Sequence, residues 1–483
     1  MPLHVSPTGN QNASERYRDA RRSHWDAVAC RRDGWTSMGT HYHRRLEGIY
    51  RHLISPGQRV LEVGCGTGEL LAAVKPSEGV GVDLSPEMIR RARERFPGLT
   101  FIEADAHDLH LDGSFDAVIL SDLVNDLWDV QAVFQGLKRF THPGTRIVMN
   151  TYSLLWELPL VLAQFLGLAT PLLPQNWLTV DDVSNLLGLS GFEVIAHRSE
   201  VLWPFGTPVV STLLNRYAVR LWPLCHLALT NVMVARPCAV TRYQEPVVSV
   251  VVPARNEEGN IEEIFRRTPE MGAGTELIFV EGGSGDDTCG AIERAMKAHP
   301  QRRSTFHRQT GTGKGDAVRL GFAHATGDIL MILDADMTVP PEDLPRFYDA
   351  IVSGRGEFIN GVRLVYPMEK QAMRYLNLVG NKFFSLAFSW LLGQPIKDTL
   401  CGTKVLSREN YEKIAANRSY FGDFDPFGDF DLLFGAAKQN LKIVEMPVRY
   451  RQRLYGDTNI DRWRHGVILL RMVLFAMRRI KFY

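Results

Sequence analysis

Residues 60–70 read VLEVGCGTGEL. An apolar run closes at Val63, and Gly64, Gly66 and Gly68 follow before a helical pattern opens. Glycines at this spacing let the backbone turn sharply and approach a ligand closely. A strand, a glycine loop and a helix together open an α/β sheet that binds its ligand across the carboxyl ends of its strands. A glycine triplet alone also opens dinucleotide-binding folds, so the later strand ends decide between the two. The next run ends in Gly81-Val82-Asp83-Leu84-Ser85, where an acid can accept both hydroxyls of a ribose. A third ends in Glu103-Ala104-Asp105-Ala106, where an acid can accept from an adenine amino group, and a fourth spans 114–122.

Outward from this stretch, strand-like runs at 59–63, 79–82, 99–103, 115–120 and 146–150 alternate with helical patterns. The alternation restarts at 247–252, 276–280, 328–333 and 357–361, so both halves are α/β. Residues 235–246, ARPCAVTRYQEP, are polar and bracketed by prolines, and read as a linker. A length of 483 residues suits two or three domains. The expected division is 1–235, a linker at 236–246, 247–455, and a basic amphipathic helix at 456–483.

Composition excludes several classes. Apolar residues make up 45% and charged residues 23%, which is globular rather than disordered. A net charge of +1 gives no reason to expect a nucleic-acid partner. The six cysteines lack zinc or redox spacing and read as reduced thiols of a cytosolic protein. No apolar segment near the N-terminus reads as a secretory signal. The run 154–173 is interrupted by Glu157, Pro159, Gln164 and Pro171, so no membrane-spanning helix is expected. That run reads either as a lid over an apolar substrate or, preferably, as a buried helix pair. Asp122, Asn125, Asp126, Trp128 and Asp129 either line a substrate pocket or, for Asp126 and Asp129, simply start a helix.

The first four strand ends, taken in order, resemble those of class I S-adenosylmethionine (SAM) methyltransferases over about 40–235. The resemblance implies a Rossmann-like domain in which Gly64, Gly66 and Gly68, with Cys65, hold the methionine end of SAM. Asp83 with Leu84 would hold the ribose and Asp105 with Ala106 the adenine. Glu62 would anchor the loop, and Ser121 would lie near the sulfonium. Methyl transfer from a sulfonium needs alignment more than acid–base help, so the lack of an obvious base does not count against it.

The second half carries VVSVVVPARNEEGNIEEIF from Val247, then LIFVEGGSGDDT at 277–288, Gly313-Lys314-Gly315, and DILMILDADMTVPPEDL at 328–344. The pair Asp334 and Asp336 ends an apolar run. A nucleoside diphosphate gains negative charge as it leaves, and a divalent cation held by carboxylates neutralises it. Alternate residues of an extended segment face opposite ways. Asp336 is therefore the expected metal ligand, with Asp334 facing the ribose or a metal-bound water. In this order the motifs resemble family 2 glycosyltransferases of the GT-A fold over about 247–455, nearest to polyprenyl-phosphate (dolichyl-phosphate) monosaccharide transferases.

That resemblance implies a nucleotide-sugar site at Pro253, Ala254, Asn256, Glu257, Glu281, Lys314 and Asp334, with Mg2+ or Mn2+ at Asp336 and Asp334. Two departures stand out: Glu281-Gly282 where the family has two acids, and Thr338 where it has Gln. Arg363 and Arg453 would meet phosphate, or else are surface charge. Asp429 and Asp431 would lie on the acceptor side, and either becomes the base if the acceptor is a hydroxyl. A polyprenyl phosphate needs arginines more than a base. Arg464, Arg471 and Arg478 recur every seven residues in a tail most of whose other residues are apolar. That pattern suits a helix lying on the cytoplasmic face of the membrane, as does 377–392, although both also suit packing on the domain core.

The expected protein is a bifunctional enzyme. It moves a sugar from a nucleotide sugar to an acceptor, polyprenyl phosphate by preference, and methylates a related sugar or lipid-linked product. The alternative is a transferase for a soluble hydroxyl, with the SAM domain as a non-catalytic regulatory module.

Overall fold

The computed structural model describes residues 7–31, 37–166, 172–238, 245–363, 375–418, 429–449, 455 and 462–482. The chain divides into two compact units, 1–238 with 482–483, and 239–481.

The first unit is built on β1 (Arg59–Val63), β2 (Glu78–Asp83), β3 (Thr100–Glu103), β4 (Phe115–Leu120), β5 (Thr141–Tyr152), β6 (Phe192–Glu200) and β7 (Thr230–Pro237), in the order β3-β2-β1-β4-β5-β7-β6. β7 runs antiparallel to both its neighbours, and the other pairs are parallel. From β1 the chain winds outward through β2 and β3, then returns to β4 on the other side. The crevice between β1 and β4 is therefore the switch point at which an open α/β sheet binds its ligand. The parallel register sets Val63 beside Val82 and Asp83 beside Glu103, so the loops after these strands share one edge. Alternate side chains of β1 feed opposite cores: Val60 packs with Ile49, Ala117 and Val148, and Leu61 with Val118, Phe134 and Ile147.

The second unit holds β8 (Val248–Ala254), β9 (Thr275–Glu281), β10 (Arg303–Arg308), β11 (Ile329–Ile332), β12 (Phe358–Val362), β13 (Lys404–Ser407) and β14 (Ile443–Pro447), in the order β10-β9-β8-β11-β13-β12-β14. β13 is antiparallel to β11 and β12. Here the switch point lies between β8 and β11, with Ala254 in register with Glu281. Both sheets are covered on their two faces by helices. The first fold is methyltransferase-like and the second GT-A-like.

Three expectations are answered here. Among the described residues no helix is long and apolar enough to cross a membrane. The preferred reading of 154–173 as a buried helix pair does not hold: the helix Glu157–Phe165 has no buried residue, and 167–171 lie outside the described residues. The tail helix Arg462–Ala476 packs one face on its own unit, with Leu469, Met472, Val473 and Ala476 buried. Its other face exposes Val467, Leu470 and Leu474 beside Arg471, while Arg478 follows in the last turn; Arg464's side chain is outside the described residues.

Candidate active sites

In the first unit a cavity of about 1160 Å³ opens along the carboxyl ends of β1 to β4. It exceeds the roughly 300–1,000 Å³ usual for one small ligand, so it has room for a cofactor and an acceptor. Gly64, Gly66 and Gly68 all take positive φ, at 77°, 51° and 80°. The turn is closed by Gly64 N–H and Cys65 N–H, which donate to Val82 O at 2.7 and 2.9 Å. A side chain on Gly68 would come within 2.7 Å of the Phe101 ring. Gly66 N–H donates to Asp83 Oδ2 at 2.8 Å, and Ser85 N–H to Asp83 Oδ1 at 2.9 Å. Asp83 thus ties the glycine loop to the end of β2, and each of its oxygens keeps a further lone pair. Burial raises its carboxyl, against the pull of these N–H groups. Cys65 and Leu84 also line the cavity.

Glu62 is buried on the cavity wall, and its Oε2 has no hydrogen-bond partner among the described residues. Burial pushes this carboxyl well above its ordinary value. A lone buried acceptor is costly unless a donor arrives, and the ammonium of a bound amino acid is such a donor. Asp105 accepts from the His107 backbone N–H at 2.9 Å, and its Oδ1 lies 2.8 Å from His107 Nδ1. His107 Nε2 lies 3.1 Å from Asp129 N, whose N–H must donate, so the ring proton sits on Nδ1 and points at Asp105. Burial works against the Asp105 charge, but His107 and Arg18 outweigh it and hold the carboxyl below its ordinary value. Ala106 and Ser121 line the same cavity, and Ser121 Oγ donates to Asn150 Oδ1 at 3.0 Å.

The two readings of Asp126 and Asp129 divide. Asp129 caps the helix Val130–Leu137, accepting from Ala132 N–H at 2.9 Å. Asp126 reaches the cavity and takes Arg21 Nε at 3.1 Å and Trp25 Nε1 at 2.8 Å. These partners come from the helix Pro7–Arg31, and Tyr17, Arg18 and His24 of that helix also line the cavity. The sequence reading missed this lid: beside its polar ties to Asp126 it buries only Val28 and Ala29 against Met88, too little to leave an apolar stripe. Removing its anchor by Asp126→Ala should weaken SAM binding roughly tenfold, the worth of one charge-assisted hydrogen bond. Calorimetric titration checks this, and an unchanged Kd counts against the lid.

In the second unit the loops after β8 and β9 are bound to each other. Asn256, at φ 58°, donates its N–H to Ser284 Oγ at 3.0 Å and accepts Gly285 N–H at 2.7 Å. Asp286 accepts Glu258 N–H at 3.3 Å and Thr288 Oγ1 at 2.5 Å. Pro253 and Ala254 end β8, and Ala254 O accepts Gly282 N–H at 3.0 Å. Glu257 is buried and takes Asn260 Nδ2 at 2.7 Å. Glu281 is buried; burial raises its carboxyl, but hydrogen bonds led by Ser284 N–H bring it below its ordinary value.

At the end of β11, Asp334 Oδ1 is met by Lys314 Nζ at 2.5 Å. Burial opposes its charge, yet Lys314, Lys404 and Arg363 together hold the carboxyl below its ordinary value. Lys404 is fully buried, with Nζ donating to Cys401 O at 2.5 Å. Arg363 is clamped by Asp398 through Nε at 2.7 Å and Nη2 at 2.9 Å. Asp336 accepts the Thr338 hydroxyl at 2.8 Å. Asp431 is engaged by Arg418 Nε at 2.8 Å. Arg453 and the Asp429 side chain lie outside the described residues. Among the described residues no three His, Cys, Asp or Glu side chains converge as a metal cage. One carboxylate plus diphosphate oxygens suffices for a cation that arrives with its substrate.

Residues 249–415 match the model of glycosyl transferase family 2, and 54–173 match that of a methyltransferase domain. The chain is 30% identical to glycosyltransferase AglJ of Haloferax volcanii over 224 residues, 46% of this chain and 69% of AglJ. It is 35% identical to the undecaprenyl-phosphate 4-deoxy-4-formamido-L-arabinose transferase of Klebsiella pneumoniae over 217 residues, 44% of this chain and 62% of that protein. Among solved structures, glucosyl-3-phosphoglycerate synthase of Mycobacterium tuberculosis aligns over 49% of this chain and 80% of its own at a TM-score of 0.37 and 21% identity.

Proposed function

Because the chain belongs to glycosyl transferase family 2 and carries a methyltransferase domain ahead of that region, we propose that it works twice on one lipid. It transfers a sugar from a nucleoside-diphosphate sugar to a polyprenyl phosphate, then methylates the lipid-linked product with SAM. The observation that carries the transferase half is Lys314 Nζ on Asp334 Oδ1 at the end of β11, with Lys404 and the Asp398-held Arg363 adding positive charge beside it. Such a cluster matches the charge that a diphosphate gains as it leaves. Asp336 is the direct ligand of Mg2+ or Mn2+, since Lys314 already meets Asp334 Oδ1.

A phosphate acceptor is supported by the likeness to an undecaprenyl-phosphate transferase and by Asp431. A carboxylate held by Arg418 is poorly placed to take a proton from a hydroxyl, whereas a phosphate monoester is already anionic at neutral pH. The family resemblance assigns Pro253, Ala254, Asn256, Glu257 and Glu281 to the nucleotide, and Arg453 and Asp429, whose side chains lie outside the described residues, to the acceptor.

In the first unit Glu62 with Gly64, Cys65, Gly66 and Gly68 holds the amino-acid end of SAM, Asp83 and Leu84 its ribose, Asp105 and Ala106 its adenine. Ser121 lies beside the sulfonium. When bound, SAM supplies an electrophilic methyl group. The exposed Val467, Leu470 and Leu474 beside Arg471 suit a cytoplasmic membrane surface, where the lipid resides.

The test offers purified protein a panel of nucleotide sugars with Mn2+ and either undecaprenyl phosphate or soluble glycan alcohols. Sugar on the phosphate lipid is expected, lost with EDTA and lowered by about 10²–10³ in Asp336→Asn. Sugar on the alcohols alone, or full activity in EDTA, contradicts the reading.

A further inference from the structure

We propose that Asp122 accepts the proton in methylation of a hydroxyl group, and that this hydroxyl belongs to a molecule whose apolar part lies against Trp156, Leu160 and Phe205. The inference rests on the methyltransferase reading of the first unit and adds its acceptor class and its base.

Asp122 follows directly on β4, at the crevice between β1 and β4, and lines the cavity. The next residue, Leu123, lies against the cofactor loop: a side chain on Gly64 would come within 3.0 Å of Leu123 Cδ1. Asp122 takes φ 53°, in the left-handed region that Asp and Asn adopt more readily than most side-chain-bearing residues. Its carboxylate is held from one side. Tyr42 OH donates to Oδ1 at 2.7 Å and Asn150 Nδ2 to the same oxygen at 2.5 Å. Asn150 is fixed in turn, its Oδ1 accepting Tyr50 OH at 2.7 Å and Ser121 Oγ at 3.0 Å. Both donors fall on Oδ1, so Oδ2 is left for a hydrogen on the acceptor. Burial also raises the carboxyl above its ordinary value, which makes it a better proton acceptor.

The same cavity has an apolar stretch of wall. The helix Glu157–Phe165 turns Pro159, Leu160, Ala163 and the amide of Gln164 to the cavity, while Leu158 and Phe165 on its outer side are 80% and 85% exposed. Trp156 also faces the cavity and is anchored by its Nε1 donating to Leu227 O at 2.9 Å. A hydrogen-bonding carboxylate in a cavity that also carries an apolar stretch of wall fits a hydroxyl carried on a body with a long hydrocarbon part. In the reaction the acceptor oxygen bonds to the methyl carbon as the carbon–sulfur bond breaks. The bonding pair goes to sulfur, giving S-adenosylhomocysteine, and the hydroxyl proton passes to Asp122 and on to water.

The test uses the full chain and, as acceptor, the glycosylated undecaprenyl phosphate that it makes itself. Asp122→Asn should lower kcat for methylation by about 10²–10⁴. Its KM for the lipid and its calorimetric Kd for S-adenosylhomocysteine should stay within about twofold of the parent, and that Kd also reports an intact fold. Leu160→Trp, which fills the apolar wall away from Asp122, should raise KM for the lipid about tenfold and leave that Kd alone. The transferred methyl should be found as an ether. Near-parental kcat in Asp122→Asn, or a methyl on nitrogen or on a carboxyl group, overturns the proposal. So does a parent protein that binds S-adenosylhomocysteine but never methylates the lipid. A parent that does not bind S-adenosylhomocysteine sinks the underlying methyltransferase reading instead.

Discussion

Gly402→Ala should cut sugar transfer by about 10²–10³ in kcat/KM while leaving S-adenosylhomocysteine binding unchanged. Gly402 sits in the loop before β13, where any side-chain carbon would collide with Asp334 Oδ2 and Lys314 Nζ. Both belong to the cluster proposed to meet the diphosphate, and both lie so close to the added carbon that at least one of them has to shift. Lys314 opens the helix Lys314–His324, and Asp334 directly follows the buried strand β11 and Leu333. A methyl group must therefore push the pair apart or displace the loop that carries Lys404. Misplacing charges that stabilise a leaving group by about an ångström costs rate far more than it costs stability. Steady-state kinetics with the preferred nucleotide sugar, beside a thermal melt, separates the two. A variant with parental kcat/KM would mean that the cluster does not face the donor.

Glu200→Gln should cost the first unit about 3–5 kcal/mol at neutral pH, because it takes the counter-ion from the buried Arg220 and the half-buried Arg45. Glu200 ends β6 and is fully buried. Arg220 Nη1 lies 2.5 Å from its Oε1 and Arg45 Nη2 3.3 Å from its Oε2. Burial works against this charge, but Arg220 and then Arg45 outweigh it, so the folded carboxyl titrates below its ordinary value. A carboxyl depressed in the folded state adds stability that is full above the unfolded value and is lost as pH falls through the folded one. The difference between parent and Glu200→Gln should hold from neutral pH down to about pH 4.5, then shrink in more acid solution. Chemical unfolding across that range checks both size and sign. A difference under 1 kcal/mol at pH 7, or one that grows in acid, would show that the ion pair is not what holds this corner.

What could be read from the chain follows from which strands are buried on both faces. β1, β4, β8, β9 and β11 are central, their burial nearly unbroken, and each appears in the sequence as a plain apolar run. Their ends carry the glycine loop and the Asp334–Asp336 pair, and Asp83 ends the neighbouring β2, so both sites could be placed from sequence. β10, RSTFHR, is an edge strand with no buried residue and no apolar run to see. β13 is four residues long and includes the fully buried Lys404, a charge that looks like surface until Cys401 O and Asp334 are brought beside it. β6 mixes buried and half-buried positions because it too lies at an edge. The lid helix Pro7–Arg31 was illegible for a related reason. Arg21 and Trp25 attach it through Asp126, more than a hundred residues away in the chain, and polar contacts of that kind leave no periodic signature.

One reaction addresses the two-site reading most directly. The protein is incubated in a single tube with undecaprenyl phosphate, its preferred nucleotide sugar, Mn2+ and SAM carrying an isotopic label in its methyl group, and the lipids are weighed by mass spectrometry. A lipid bearing both the transferred sugar and the labelled methyl, reduced to the sugar alone when SAM is left out, is the expected result. Sugar and label that never appear on the same molecule would contradict it, and would make the two halves of the chain separate enzymes on separate substrates.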